Sequence, residues 1–93
     1  MKYLIAYILL FIITDDINEI ATINRIKDEA AKAYSDGDYQ EAIKNYSFLY
    51  DSLGENNDKI LLNLSNAYFN AQDTSNAQFH YAKLTESGDN SIK

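Results

Sequence analysis

AAKAYSDGDYQEAIKNY, residues 30–46, is followed by a second stretch of the same pattern, SNAYFNAQDTSNAQFHY, residues 65–81. The two align without a gap when Ala42 is placed on Ala77, so the repeat offset is 35 residues (77 minus 42). Each copy has apolar residues at helical spacing on both sides of a short polar break. A repeat of this length and spacing predicts stacked pairs of helices, an architecture that usually binds another protein.

Capping and turn residues divide the repeats into four predicted helices. Asp16 with Glu19 three residues later forms a capping box, so the first helix is expected to begin at Asp16. It is expected to stop near Gly37, because glycine tolerates a positive φ. The other predicted boundaries are Asp38 as the cap of the second helix and Gly54 as its end, residues 59–71 as the third helix, and Asp73 as the cap and Gly88 as the end of the fourth.

Apolar and small residues recur on one side of each predicted helix. Small residues at equivalent places, Ala30 with Ser65 and Ala42 with Ala77, allow two helices to approach to about 8–10 Å. The expected inward set on the first helix is Ile17, Ile20, Ile23, Ile26, Ala30 and Ala33. The inward sets on the other three are Ala42, Ile43, Tyr46, Leu49 and Leu53, then Leu61, Leu64, Ala67 and Tyr68, and finally Ala77, Tyr81 and Leu84.

Residues 26–87 resemble two tetratricopeptide repeats (TPRs). The resemblance rests on AAKAYSDGDYQEAIKNY, with its Gly-Asp-Tyr turn, and on LLNLSNAYFNAQD, with the Leu-x-x-Ala-Tyr opening of the next unit. The sequence departs from the family at Gly54, which stands in place of the usual proline, and at Gln72, which stands in place of the turn glycine. The fold predicted is all-α, with an N-terminal apolar helix before two TPR units of a short right-handed solenoid: residues 26–57 and 58–88, after a lead-in at 15–25 and before a tail or further helix at 89–93.

The resemblance also implies a binding surface, because the first helix of each TPR pair lines a concave groove. The asparagines are expected to bond the backbone of an extended peptide, and Tyr34 and Phe69 to offer flat apolar contact. The alternative is that these residues form an ordinary solvated helix face. The groove residues expected to bind a peptide or protein segment are Lys27, Tyr34, Lys59, Leu62, Asn63, Asn66, Phe69 and Asn70, with Asn24, Ala31 and Ser35 beside them.

The first residues differ from the rest of the chain. Met1-Lys2 precedes YLIAYILLFIIT, residues 3–14, which contains no charged residue. A positive start and a short apolar run are typical of an export signal or anchor, so residues 1–14 are interpreted as a signal peptide or membrane anchor. Positive charge stays inside, so the remainder is expected in the periplasm. The alternative is a cytoplasmic protein whose Tyr3–Ile13 segment is a core helix. An anchored TPR chain is also similar to the exported TPR proteins of bacterial aerotolerance operons.

Composition narrows the class of partner. The chain has 93 residues, 14 acidic against 8 basic, and a net charge of -6, which disfavours binding to nucleic-acid phosphates. No cysteine is present, so a thiolate nucleophile or thiolate metal site is excluded. The sequence also lacks a glycine-rich phosphate loop. No enzymatic activity, metal or cofactor is therefore predicted. The competing interpretation is a structural or regulatory subunit of a membrane-associated enzyme complex.

Two repeats are few for a stack of this kind, because about three usually share a continuous core. The fourth helix is expected to leave Phe79 and the segment 81–84 uncovered. Either a contact between two copies through this last repeat or a longer protein whose next repeat begins near Asp89 is expected.

Overall fold

The computed structural model describes the backbone of residues 2–92 and the side chains of residues 18–86. This part of the chain is all-helical, as the repeat pattern predicts. Its elements are α1 (Lys2–Ser35), α2 (Tyr39–Ser47), a π-helical turn (Phe48–Ser52), α3 (Asp58–Asn70) and α4 (Thr74–Ile92). Each helix packs against its neighbour in sequence, α1 on α2, α2 on α3 and α3 on α4. The result is two helix pairs side by side.

The two pairs have the same turn. In the first pair the Asp38 amide donates to the carbonyl of Ala33 (2.8 Å) and the Gly37 amide to that of Tyr34 (3.1 Å). In the second pair, 35 positions later, the equivalent bonds are from Asp73 to Tyr68 (2.9 Å) and from Gln72 to Phe69 (3.0 Å). This double bond pattern satisfies the last carbonyls of a helix and ends it.

The same aspartates then start the next helix. Asp38 accepts a hydrogen bond from the Glu41 amide at 3.2 Å, and Asp73 accepts one from the Asn76 amide at 3.3 Å. Both predicted caps are therefore confirmed. A third cap, which was not predicted from the sequence, is made by Asn57, whose Oδ1 accepts from the Ile60 amide at 3.0 Å.

Two predicted helix boundaries are wrong. No helix begins at Asp16, because α1 runs without a break from Lys2 to Ser35. Nothing between these residues is a glycine or proline, and the carboxylates at 15 and 16 do not stop a helix. Gly88 does not end α4, which continues to Ile92. The prediction of an export or anchor segment at residues 3–14 concerns side chains outside the described range.

The core is formed by buried residues of α1, α2, the π-helical turn and α3. Ala30, Ala42 and Ala67 are fully buried, as is Leu49, and Tyr46 is 5% exposed. Ile20, predicted to face inward, is instead 60% exposed, and the next residue of that stripe, Ile23, packs against the core. Most of the predicted inward residues on the other helices are buried or half-buried. Among the described residues, no helix is both long enough and apolar enough to cross a membrane.

Candidate functional site

Except for Tyr34, which packs partly against the core, the predicted groove residues lie on the sides of α1 and α3 that do not enter the core. On α3 they recur at three- and four-residue spacing, between the buried positions Ile60, Leu61, Leu64, Ser65 and Ala67. One helix face therefore presents all six α3 residues of the predicted site. We call this surface, together with Lys27 and Tyr34 of α1, the groove face.

A cleft of about 310 Å³ opens at one end of the groove face. Lys27, Lys59 and Asn63 all line the cleft, so the structure brings together three of the predicted residues. The Lys27 Nζ lies 3.2 Å from the Oε2 of Glu55, a carboxylate that the sequence analysis did not assign to the site. Lys59 is exposed, and its charge is the more accessible of the two. The remaining lining residues are Asp28, Ala31, Tyr46, Asn57 and Ile60.

Burial changes the chemistry of one cleft residue. Burial, and secondarily the neighbouring Tyr34, raises the pKa of the Tyr46 phenol above its ordinary value near 10.0. Tyr46 is therefore a neutral wall of the cleft at physiological pH. The cleft combines lysine ammonium groups, an asparagine amide and an aromatic wall. Such donors can bond a backbone carbonyl of an extended segment, while the Asp28 and Glu55 carboxylates offset the lysine charges.

Asparagine side chains tie the helices together at the other end of the groove face. The Asn70 Nδ2 donates to the Tyr34 hydroxyl oxygen at 2.8 Å and to the Asn66 carbonyl at 2.8 Å. The Tyr81 hydroxyl donates to the Oδ1 of Asn66. Two amides expected to bond a partner are thus partly engaged within the chain. The Oδ1 of Asn70 and the Nδ2 of Asn66 have no partner among the described residues, so each amide keeps one free end.

Large apolar side chains border the groove face. Phe69 is 61% exposed and Leu62 is 44% exposed, seven residues apart on the same side of α3. Tyr34, the equivalent of Phe69 in the first pair, is half-buried and meets Tyr39 edge-on with ring centroids 5.4 Å apart. The two aromatic residues are therefore not equal in the structure: Phe69 is open to contact, whereas Tyr34 packs and hydrogen-bonds within the chain.

A second and larger groove was not predicted from the sequence. A groove of about 590 Å³ lies between α1 and the segment formed by α2 and the π-helical turn. Phe48 is 46% exposed at this groove. Around it stand charged residues, including the pair Arg25–Glu29 with Nη1 and Oε1 2.8 Å apart. The signal in the sequence was Phe48 itself, an aromatic residue that none of the predicted inward sets uses.

The described residues contain no cluster of histidine, cysteine, aspartate and glutamate that could hold a metal ion. His80, the one histidine of the chain, is half-buried and stacks on Tyr68 with ring centroids 5.0 Å apart. Its Nδ1 lies 2.7 Å from the carbonyl oxygen of Asn76. Because a carbonyl only accepts, the Nδ1 carries a proton and acts as the donor. This side chain therefore has a packing partner and a hydrogen-bond partner.

The chain was also compared with known proteins. No family model, curated protein or solved structure matches it.

Proposed function

We propose that this chain is a non-enzymatic protein-interaction module built from two TPR units, and that it binds a segment of a partner protein on the groove face. The observation that carries the proposal is the exposure of Phe69 and Leu62 on one side of α3, next to a cleft lined by lysine and asparagine. Exposed aromatic and aliphatic side chains beside oriented polar groups are typical of peptide-binding surfaces.

The duplicated turn supports the TPR assignment. Two helix pairs with the same hydrogen bonds at an offset of 35 residues, and with small buried residues at Ala42 and Ala77, have the arrangement that the resemblance implies. The net charge of -6 favours a protein partner over a nucleic acid. Because Lys27 pairs with Glu55 and Asp28 lines the same cleft, the two cleft lysines are offset by carboxylates, and backbone and apolar contacts are expected to carry most of the binding.

We also propose that residues 3–14 attach the chain to the inner membrane, with the helix pairs in the periplasm. The support is the uncharged apolar run after Lys2. Fusion of a reporter that is active only in the cytoplasm to Lys93 tests this placement. An inactive reporter in cells that contain the intact fusion is the expected result, and strong activity would contradict export.

Binding on the groove face is testable with a displayed library of random peptides selected on the full chain. The selected peptides are then measured against the wild type, Phe69→Ala and Phe79→Ala. Phe79 is a matched control because it is 59% exposed but lies on α4, outside the groove face. Loss of Phe69 is expected to weaken binding by about 2 kcal/mol, roughly 30-fold, and loss of Phe79 to have little effect. Equal affinity of the two variants, or failure to select any peptide, would contradict the proposal.

A further inference from the structure

Three asparagines, Asn63, Asn66 and Asn70, recur along α3 on the groove face. Two of them, Asn66 and Asn70, hydrogen-bond to tyrosines of other helices, and the two bonds engage opposite ends of the amide group. An asparagine amide carries an acceptor oxygen and a donor nitrogen, so the group it offers to a ligand depends on which end is already bonded. The two amides therefore present different groups to a partner.

Asn70 is held by its nitrogen. Its Nδ2 donates to the main-chain carbonyl of Asn66 and to the hydroxyl oxygen of Tyr34 on α1, both at 2.8 Å. Because a main-chain carbonyl only accepts, the first bond identifies the nitrogen, and the two bonds together use both of its hydrogens. Asn70 is exposed, and its Oδ1 has no partner among the described residues. This side chain therefore offers an acceptor to a ligand.

Asn66 is held by its oxygen. The hydroxyl of Tyr81 on α4 donates to its Oδ1 in a partly buried bond. Asn66 is half-buried, and its Nδ2 has no partner in the described part of the chain. A half-buried donor without a partner is stabilised when a ligand carbonyl accepts from it. This side chain therefore offers a donor, one helical turn before the acceptor of Asn70.

The two free amide ends have the spacing of an extended chain. Asn66 and Asn70 are four residues apart, which is about 6 Å along α3. Along one edge of an extended segment, the main-chain groups recur every second residue, at about 6.4–6.8 Å. A helical segment offers no such row, because its N–H and carbonyl groups bond each other. The free ends therefore match a carbonyl and an N–H on one edge of an extended segment.

We infer that the groove face binds its ligand as an extended segment through two main-chain hydrogen bonds of fixed direction, and that Tyr34 and Tyr81 are the positioning residues that fix them. The Nδ2 of Asn66 donates to a carbonyl of the segment, and the Oδ1 of Asn70 accepts from an N–H of the segment. This inference rests on the proposed function. It adds the conformation of the ligand and the position of each main-chain group along α3.

Aspartate tests the two positions in opposite ways, because it has nearly the shape of asparagine but only acceptor oxygens when ionised. Asn70→Asp keeps an acceptor for the N–H of the segment, since the Tyr34 hydroxyl can turn and donate to the new carboxylate. Asn66→Asp replaces the donor with an acceptor that repels the carbonyl. With the peptides selected on the full chain, Asn66→Asp is expected to weaken binding about tenfold or more, and Asn70→Asp no more than about threefold. Both variants change the net charge equally, so each is a control for the other.

N-methylated peptides test the acceptor of Asn70 with the wild-type protein. Each N–H of a selected peptide is methylated in turn, and one position is expected to lose about tenfold in affinity for the wild type but no more than about twofold for Asn70→Ala. Tyr34→Phe is expected to reduce this sensitivity to methylation, because Asn70 loses the oxygen that holds its nitrogen. Tyr39→Phe, which removes a hydroxyl from the ring packed edge-on against Tyr34, is expected to keep it.

The outcomes separate this inference from the proposed function. Equal losses in the two aspartate variants, the reverse order, or a methylation effect that is the same in Asn70→Ala as in the wild type would overturn the inference. Peptides that still lose affinity with Phe69→Ala would in that case leave the proposed function standing. Failure to select any peptide would contradict both.

Discussion

Gln72 has a left-handed backbone, with φ 66°, at the place where the first pair has Gly37 with φ 80°. A residue with a Cβ is disfavoured in this region, and Gln72 is the one non-glycine residue with a positive φ in the described chain. The two turn hydrogen bonds that end α3 hold it there. The sequence alignment located this departure from the glycine pattern, but only the structure shows that the turn keeps its geometry in spite of it.

Replacement of Gln72 by glycine should stabilise the protein. The left-handed conformation costs a residue with a Cβ about 1–2 kcal/mol, and part of this gain is lost because glycine is freer when unfolded. We expect Gln72→Gly to raise the free energy of unfolding by about 0.5–1 kcal/mol in urea denaturation. Gly37→Ala is the matched control and should lower it, although a Cβ there meets no atom within 4 Å. A destabilised Gln72→Gly variant would show that the glutamine side chain contributes a contact of its own.

Tyr46 should make folding sensitive to alkaline pH. Its pKa is raised above 10.0 in the folded chain by burial, so the folded state retains the phenol proton longer than the unfolded state does. The contribution of Tyr46 to stability is therefore constant below pH about 10 and is lost as the pH rises through the raised pKa. Unfolding free energies measured between pH about 8 and about 11 should show this fall. Tyr46→Phe should reduce the fall; equal slopes in the wild type and this variant would contradict the assignment.

At the scale of the elements, the helix boundaries that depend on hydrogen bonds and backbone preferences of nearby residues were predictable from the sequence. Asp38 and Asp73 were predicted as caps from the sequence, and Gly37 and Gly54 as helix ends, because each acts on atoms a few residues away. The start of α1 was not predictable in this way. A capping box at Asp16 signals a helix start only if the preceding chain leaves the helical conformation, and the apolar residues before it continue the helix instead.

Two small residues at the helix crossings, Ala42 and Ser65, should respond differently to substitution. Ala42 is fully buried, so Ala42→Leu is expected to cost about 1–3 kcal/mol through overpacking. Ser65 is equally buried, and its hydroxyl donates to the Leu61 carbonyl within the same helix at 2.8 Å. Ser65→Ala should change stability by no more than about 0.5 kcal/mol, because that carbonyl already accepts a helix bond and alanine fills the equivalent position 30.

Thermal unfolding followed by circular dichroism measures both variants. A large loss in Ser65→Ala, or a neutral Ala42→Leu, would mean that the crossings are not close-packed.

For the whole molecule, the sequence predicted which residues share a face but not which of them touch. The all-helical stack followed from periodicity. All eight groove residues, which were assigned from the TPR resemblance, are exposed or half-buried, and Tyr34 also packs against the core. The ion pair of Lys27 with Glu55 and the bonds of Asn66 and Asn70 join different elements. Their partners depend on how far the pairs rotate against each other, which spacing within one helix does not determine.

The bond between Tyr34 and Asn70 should couple the two pairs. It links α1 to α3 across 36 residues of sequence, at the exposed end of the groove face. A double-mutant cycle with Tyr34→Phe, Asn70→Ala and the double variant should give a coupling energy of about 0.5–1.5 kcal/mol. Urea denaturation of the four proteins provides the values. Strictly additive effects would show that the bond contributes nothing to holding the pairs in register.

The length of the unbroken helix α1 determines the direction in which the groove face points. Its 34 residues form a single helix about 51 Å long, and every residue in such a rod advances about 1.5 Å and turns about 100°. A contact that holds the first turns of α1 therefore determines the rotation of the groove face about the helix axis, as well as its distance from those turns. One alanine inserted between Asn18 and Glu19 would turn the groove face by about 100°, whereas seven would return it to within about 20° and displace it by about 10 Å. A partner that binds from a fixed direction would then be lost when one residue is inserted and regained when seven are inserted.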